Sequence, residues 1–133
     1  MLCALVAAGP ASGGGSEPQT FSGAFATGGK VSFRLDRGSA PRVDQIMIEG
    51  ITAACRGGTG KLDFEIYGST PLLPDRSFLV RSEDGSGGKA LVKGRFSRRF
   101  KRAVGVARVS GRFSFGAAGS APCDSGKQAF VAR

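Results

Sequence analysis

Short runs in which apolar and polar residues alternate cover most of the chain after residue 20. Every second residue is apolar in KVSFRL (30–35) and KLDFEIY (61–67), and SFLVR (77–81) and KALVKGRF (89–96) show the same alternation. A period of two sends successive side chains to opposite faces, which predicts half-buried β-strands. No window of a dozen residues has a convincing helical period. The pattern predicts an all-β protein.

The remaining strands and their connections complete this prediction. In VDQIMIEGITAAC (43–55) the apolar phase slips by one residue around Gly50, which predicts a β-bulge. Segments 103–115 and 127–133 supply the last strands, and turn-forming glycine, proline and aspartate residues separate the runs. Short connections favour antiparallel neighbours. We predict one antiparallel domain over 21–133, a sandwich or small barrel of about seven or eight strands with meander-like connections.

The inward positions of these strands define the expected core. It comprises Phe25, Val31, Phe33, Leu35, Ile46, Ile48, Ile51, Leu62, Phe64, Ile66, Phe78, Val80, Val92, Phe96, Phe113 and Phe130.

The N-terminal segment has a different character. An apolar stretch, Leu2 to Ala8, is followed by small residues and then by a Gly/Ser/Pro-rich linker over 12–20. Residues 1–11 resemble the core and cleavage region of a secretory signal, although no Lys or Arg precedes Lys30. Our hypothesis is that Met1 lies inside a longer signal peptide. The alternative is a frayed apolar tail.

Removal of such a signal would remove Cys3 and leave two cysteines, Cys55 and Cys123. An even pair in an exported domain indicates a disulfide, whereas two reduced structural thiols would fit a cytosolic protein. Neither cysteine has a second one nearby, so the spacing of a zinc site is absent. We expect a Cys55–Cys123 disulfide in a secreted or cell-envelope protein.

The layout resembles small exported, single-disulfide all-β domains of uncharacterised bacterial secreted proteins. The residues that carry this resemblance are the GxF…G..V.F.L opening, a cysteine after the third strand, GRFS (94–97) and CDSG (123–126). The resemblance covers Phe21 to Arg133. It implies fold, export and the Cys55–Cys123 bridge, and it implies no catalytic or binding residue.

The charged residues are unevenly distributed. The formal net charge is +9, and residues 93–102 alone hold six cations and no anion. These candidate anion-binding residues are Lys93, Arg95, Arg98, Arg99, Lys101 and Arg102. Alternation places the turn of a hairpin near Ser97–Lys101 and clusters the last four cations at its tip. Such a cluster favours salt-sensitive contact with an anionic polymer, a cell-envelope surface or nucleic acid.

Two alternatives for this segment stay open. The cations could be only the solvated end of a hairpin, with arginine stems covering apolar edge surface. Phe100 is the one aromatic residue in the turn. It could stack on a ligand base or pack beneath the turn.

Catalytic motifs are weak in this sequence. The absence of histidine removes the usual Ser-His-Asp and Cys-His arrangements and the commonest transition-metal ligand, and we predict neither a metal nor a cofactor. CRGGTGKL (55–62) departs from the phosphate-loop pattern at Cys55 and Leu62. SGGK (86–89) has the serine–lysine spacing of some acyl-transfer enzymes but lies in a glycine loop. Asp63 and Glu65 share an outward strand face, which indicates surface carboxylates.

Three functions follow from these observations. The first is a non-catalytic exported β module that contacts an anionic polymer or surface through residues 93–102. The second is a structural, accessory or inhibitor-like extracellular domain with a protein partner. The third and least favoured is a hydrolase that works without histidine.

Overall fold

The computed structural model describes residues 17–133, and the predicted signal-like segment 1–11 and Cys3 lie outside this range. It contains nine strands and one turn of 3-10 helix at Gly116–Ala118. The strands are β1 (Gln19–Ala24), β2 (Lys30–Asp36), β3 (Arg42–Cys55), β4 (Gly58–Pro71), β5 (Ser77–Glu83), β6 (Gly88–Phe96), β7 (Ala103–Ser114), β8 (Ser120–Asp124) and β9 (Gln128–Ala132). The all-β prediction is confirmed, with one strand more than the expected maximum.

All ladders are antiparallel, and consecutive strands are neighbours in most of them. β4, β3, β2 and β1 lie side by side in that order, and β5, β6 and β7 form a second run. β8 joins the two runs by pairing with β3 and β7, and β9 pairs with β7. In addition, Ser22 and Arg133 exchange two backbone hydrogen bonds, of 3.0 and 3.1 Å.

The sheet is not closed, since within residues 17–133 no ladder joins β4 to β5. Of the two predicted architectures, a sandwich and a small barrel, the structure is therefore sandwich-like. The bulge predicted at Gly50 is present as a register shift between Ile48 and Ile51, and Gly50 has a φ of 65°. A second shift, between Asp44 and Ile46, places Gln45 at a φ of 51°.

Phenylalanine rings form the centre of the core. Phe33 contacts Phe21, Phe78, Phe96 and Phe130, with centroid separations between 5.5 and 6.0 Å. Every predicted core residue is buried except Phe113, which is only partly buried and packs against the core from its edge. The prediction for Phe113 was wrong because the burial alternation of β7 weakens beyond Val109, where Gly111 has a φ of 113°.

The disulfide joins β3 to β8 where the two strands pair. Cys55 and Cys123 are opposite each other in the ladder, and their bond closes a sequence separation of 68 residues. The prediction of this bridge is confirmed. It lies at the end of the sheet where β3 turns into β4.

Candidate anion-binding site

The β6–β7 hairpin has a six-residue loop, 97–102. Hydrogen bonds between residues of the loop itself hold its backbone. The N–H of Ser97 donates to the carbonyl of Arg102 at 2.9 Å. The hydroxyl oxygen of Ser97 accepts hydrogen bonds from the N–H groups of Lys101 and Arg102, at 3.1 and 3.3 Å. These bonds give the loop a defined shape before any ligand arrives, so its cations lie on an ordered backbone.

Phe100 packs beneath the loop. Its backbone adopts a left-handed conformation, with a φ of 55°, and its side chain packs against the core. Its ring lies 5.8 Å from that of Phe96, and the guanidinium of Arg37 lies 4.7 Å from its centroid on another side. Of the two expectations for Phe100, packing is the one observed. Stacking on nucleic-acid bases needs an exposed aromatic face. Arg37 lies over the ring of Phe100, and Phe100 packs against the core.

The hairpin separates the six predicted cations into two groups. Arg98, Arg99, Lys101 and Arg102, here called the basic tip, are exposed. Among residues 17–133, none of these four side chains makes a hydrogen bond or ion pair. Lys93 and Arg95 lie instead on the outward face of β6, before the hairpin turns.

Arg95 differs from the other predicted cations because its charge is compensated. Its guanidinium lies 2.7 Å from the carboxylate of Asp75. Hydrogen bonds from Ser77 and Arg95 stabilise the charged form of Asp75 and hold its pKa well below its usual range. Lys93 has no such partner in the described part of the chain. Arg95 is therefore the weakest of the six candidates.

Two arginines missed by sequence reasoning lie beside the basic tip. Arg37, from the β2–β3 connection, covers Phe100 and donates a 3.3 Å hydrogen bond to Gln19. Arg76, from the β4–β5 connection, donates from its side chain to the carbonyl of Phe96 at 3.1 Å. No local signal could have identified them, since each is isolated in its own segment. The tertiary fold brings three connections together at one end of the molecule.

Carboxylates neutralise some of the cations on the strands but none at the tip. Five ion pairs are present among residues 17–133: Lys30–Glu49, Arg34–Asp44, Lys89–Glu83, Arg95–Asp75 and Arg108–Asp124. The hydrogen bond from Arg34 lowers the pKa of Asp44, and that from Arg108 lowers the pKa of Asp124. None of these acids pairs with the loop 97–102. Within residues 17–133, the four adjacent cations of this loop therefore have no carboxylate partner, and their positive charge is concentrated at the tip.

The glycine-rich segment at 55–62 is a hairpin turn. Cys55 pairs with Gly58, so Arg56 and Gly57 form a two-residue loop, and Gly57 has a φ of 92°. β4 follows the loop directly. A phosphate loop needs a helix after it, so the expected hairpin is confirmed.

Ser86 and Lys89 do not face each other. The hydroxyl of Ser86 donates to a carboxylate oxygen of Asp84 at 3.0 Å, and this oxygen also accepts from the N–H of Gly88 at 2.9 Å. The amine of Lys89 instead approaches Glu83 at 3.8 Å and is exposed. A lysine acting as base would need a desolvated amine next to the serine. The amine of Lys89 is instead exposed and lies next to Glu83.

Asp63 and Glu65 are exposed on the outward face of β4. Asp63 accepts a 2.7 Å hydrogen bond from the N–H of Gly50, at the bulge of β3. Glu65 accepts a hydrogen bond from the hydroxyl of Tyr67, and this bond raises the pKa of Tyr67. Asp63 therefore supports the bulge, and Glu65 holds an exposed tyrosine.

Among residues 17–133, the surface depressions that lie away from the tip include these two. One, of about 600 Å³, is lined by Arg81, Leu91 and Arg108 on the outward face of β5–β7. The other, of about 370 Å³, is lined by Gln45, Met47 and Tyr67. No cluster of three or more Cys, Asp or Glu side chains suited to a metal occurs among residues 17–133.

No helix in the same range is both long and apolar enough to cross a membrane. No family model matches the sequence, and neither a curated protein nor a solved structure matches it.

Proposed function

We propose that this chain is a non-catalytic exported β module that contacts an anionic polymer or surface through the basic tip. The observation that carries the proposal is the absence of side-chain partners for Arg98, Arg99, Lys101 and Arg102 within residues 17–133. Four adjacent cations repel one another unless an anion compensates them. A polyanion supplies that compensation and gains entropy by releasing its own counterions.

The form of the loop favours recognition of charge rather than of sequence. Its backbone is held by Ser97, and its aromatic residue is packed against Phe96. Long, exposed cationic side chains on such a support suit phosphate, sulfate or carboxylate groups presented in a row. Binding of this kind falls steeply with ionic strength.

Export is supported by the disulfide. Disulfides persist in oxidising compartments and are rare in the cytosol, and Cys55 and Cys123 are joined in the folded domain. Alkylation of the protein under denaturing conditions, immediately after extraction from its native cells, tests this point. Both residues remaining unlabelled in an extracytoplasmic fraction supports export, whereas full labelling of cytosolic protein contradicts it.

The binding experiment compares the wild type with two variants of equal charge. The tip variant carries Arg98→Gln, Arg99→Gln, Lys101→Gln and Arg102→Gln. The matched control carries four glutamines in place of Arg56, Lys61, Arg112 and Lys127, which are exposed and lie outside the tip. Binding to inorganic polyphosphate is measured over a range of salt concentrations.

We expect the wild type and the control to bind at low salt and the tip variant to lose most of this binding. The slope of log K against log salt should become shallower by about one for each lost phosphate contact. Equal losses in both variants would show that only net charge matters. If neither variant lost binding, the tip would be a solvated hairpin end.

A further inference from the structure

Six aliphatic side chains lie among charged residues on the outward face of β5, β6, β7 and β9. Strand pairing places the outward positions of these four strands in rows, so that Leu79 is beside Lys93, Lys93 beside Val106, and Val106 beside Ala129. We call this surface the aliphatic face; its apolar members are Leu79, Leu91, Val104, Val106, Ala129 and Val131. Leu79, Val104 and Val131 are 43%, 44% and 44% exposed.

Cations are interspersed among these aliphatic residues. Lys93 lies between Leu79 and Val106, and Arg81 pairs across the strands with Leu91. In the described part of the chain neither cation has a side-chain partner. The acids of this surface, Glu83 and Asp124, are engaged by Lys89 and Arg108. The charged side chains of the face that have no ion-pair partner are therefore positive.

The aliphatic face continues into the basic tip. β6 leads from Lys93 into the loop, and Val104 follows the tip by two residues. Val104 in turn pairs with Val131 of β9. One surface thus carries cations at its end and aliphatic side chains with further cations along its length. A soluble polyanion would contact the cations and leave the aliphatic residues in water.

We propose that the aliphatic face and the basic tip together dock the protein on an anionic phospholipid bilayer. The proposal rests on the proposed function and specifies a lipid surface as the anionic partner. Cations contact headgroup phosphates, while Leu79, Val104 and Val131 enter the boundary between headgroups and acyl chains. Each Lys or Arg near such a surface strengthens binding roughly fivefold. In this proposal the domain lies on the surface of the bilayer.

The test uses a face variant in which Leu79→Ser and Val131→Ser are combined. Both positions are exposed and outward, so the fold should tolerate the change. Sedimentation with vesicles of phosphatidylglycerol and phosphatidylcholine is compared with binding to soluble polyphosphate, for the wild type, the face variant and the tip variant. Thermal unfolding and gel filtration check folding and oligomeric state.

We expect the face variant to lose roughly tenfold in vesicle affinity while its polyphosphate affinity stays the same. The tip variant should lose both. Unchanged vesicle binding of the face variant would overturn the docking proposal and leave the proposed function intact. Unchanged binding of the tip variant to both partners would overturn the proposed function. A wild-type dimer that the face variant converts to a monomer would show that the face joins two copies instead, and that too overturns bilayer docking.

Should the face variant prove poorly folded, a single Leu79→Lys substitution provides the decisive comparison. It adds a cation to the same surface. Docking through aliphatic contact predicts that Leu79→Lys weakens the vesicle binding that remains at high salt. Purely electrostatic contact predicts that it strengthens binding at low salt and that no binding remains at high salt.

Discussion

The guanidinium of Arg37, in the β2–β3 connection, lies over the ring of Phe100 in the β6–β7 hairpin, 4.7 Å from the ring centroid. This contact joins two segments that are far apart in sequence. Phe100 also contacts Phe96, a buried residue of the core. The loop that carries the basic tip is therefore anchored to the protein interior through one half-buried aromatic side chain.

Removal of this anchor should loosen the tip. We expect Phe100→Ala to lower the free energy of unfolding by about 2 kcal/mol, roughly half the cost of losing a fully buried phenylalanine. It should also speed amide hydrogen exchange in loop 97–102. Urea denaturation and hydrogen exchange measure the two effects.

A glycine variant at position 100 provides the control, because Phe100 has a positive φ. Because glycine adopts the left-handed region without steric cost, Phe100→Gly should be at least as stable as Phe100→Ala. A glycine variant clearly less stable than the alanine variant would contradict this conformation.

Gly94 supports the hairpin from within the sheet. A β-carbon at this position would lie 2.8 Å from a ring carbon of Phe78, which is fully buried. We expect Gly94→Ala to destabilise the domain by about 1–3 kcal/mol, as overpacking of a core does. Gly38→Ala is the control, since its β-carbon would meet only a flexible Asp36 oxygen at 3.5 Å, and its effect should stay within about 0.5 kcal/mol. Equal stability of the two variants in urea would show that the space beside Phe78 adapts.

The disulfide should contribute strongly to stability. Its 68-residue separation corresponds to roughly 4 kcal/mol of lost unfolded-state entropy in the chain-entropy model. Reductant should therefore lower the urea midpoint of the wild type. A double variant, Cys55→Ala with Cys123→Ala, should match the reduced protein and be insensitive to reductant. An unchanged midpoint for the reduced wild type would contradict this prediction.

Acid should weaken the Arg34–Asp44 pair. The two side chains form a bidentate contact, with both distances at 2.8 Å, and the hydrogen bond from Arg34 lowers the pKa of Asp44. As the pH falls, the carboxyl group of Asp44 is protonated in the unfolded chain before it is protonated in the folded protein. The stabilising contribution of the pair is therefore fully present above the unfolded pKa of about 3.9. It is lost as pH falls through the lower folded pKa.

A double-mutant cycle of Arg34→Gln and Asp44→Asn isolates this contribution. The coupling free energy should be favourable at pH 7 and should shrink below about pH 4. A coupling that stays constant down to pH 2 would mean that protonation of Asp44 does not govern it.

The sequence alone determined most of the local structure, because strand alternation and glycine turns are encoded by neighbouring residues. The inward positions of β2, β4 and β6 follow directly from their period of two, and the bulge at Gly50 follows from a one-residue phase slip. The position of the basic tip at a hairpin end was predicted for the same reason. The burial of Phe113 was not predicted correctly because the alternation fails around Gly111.

Only the tertiary structure decided which distant residues meet. The approach of Arg37 and Arg76 to the tip depends on three connections converging at one end of the sheet, and nothing within either segment encodes it. The neutralisation of Arg95 by Asp75 depends in the same way on the pairing of β5 with β6. The aliphatic face extends to Val131 only because β9 returns to pair with β7 and aligns Val131 with Val104. Period and turn chemistry act between neighbours, whereas strand order is set by the packing of the whole core, which no single segment contains.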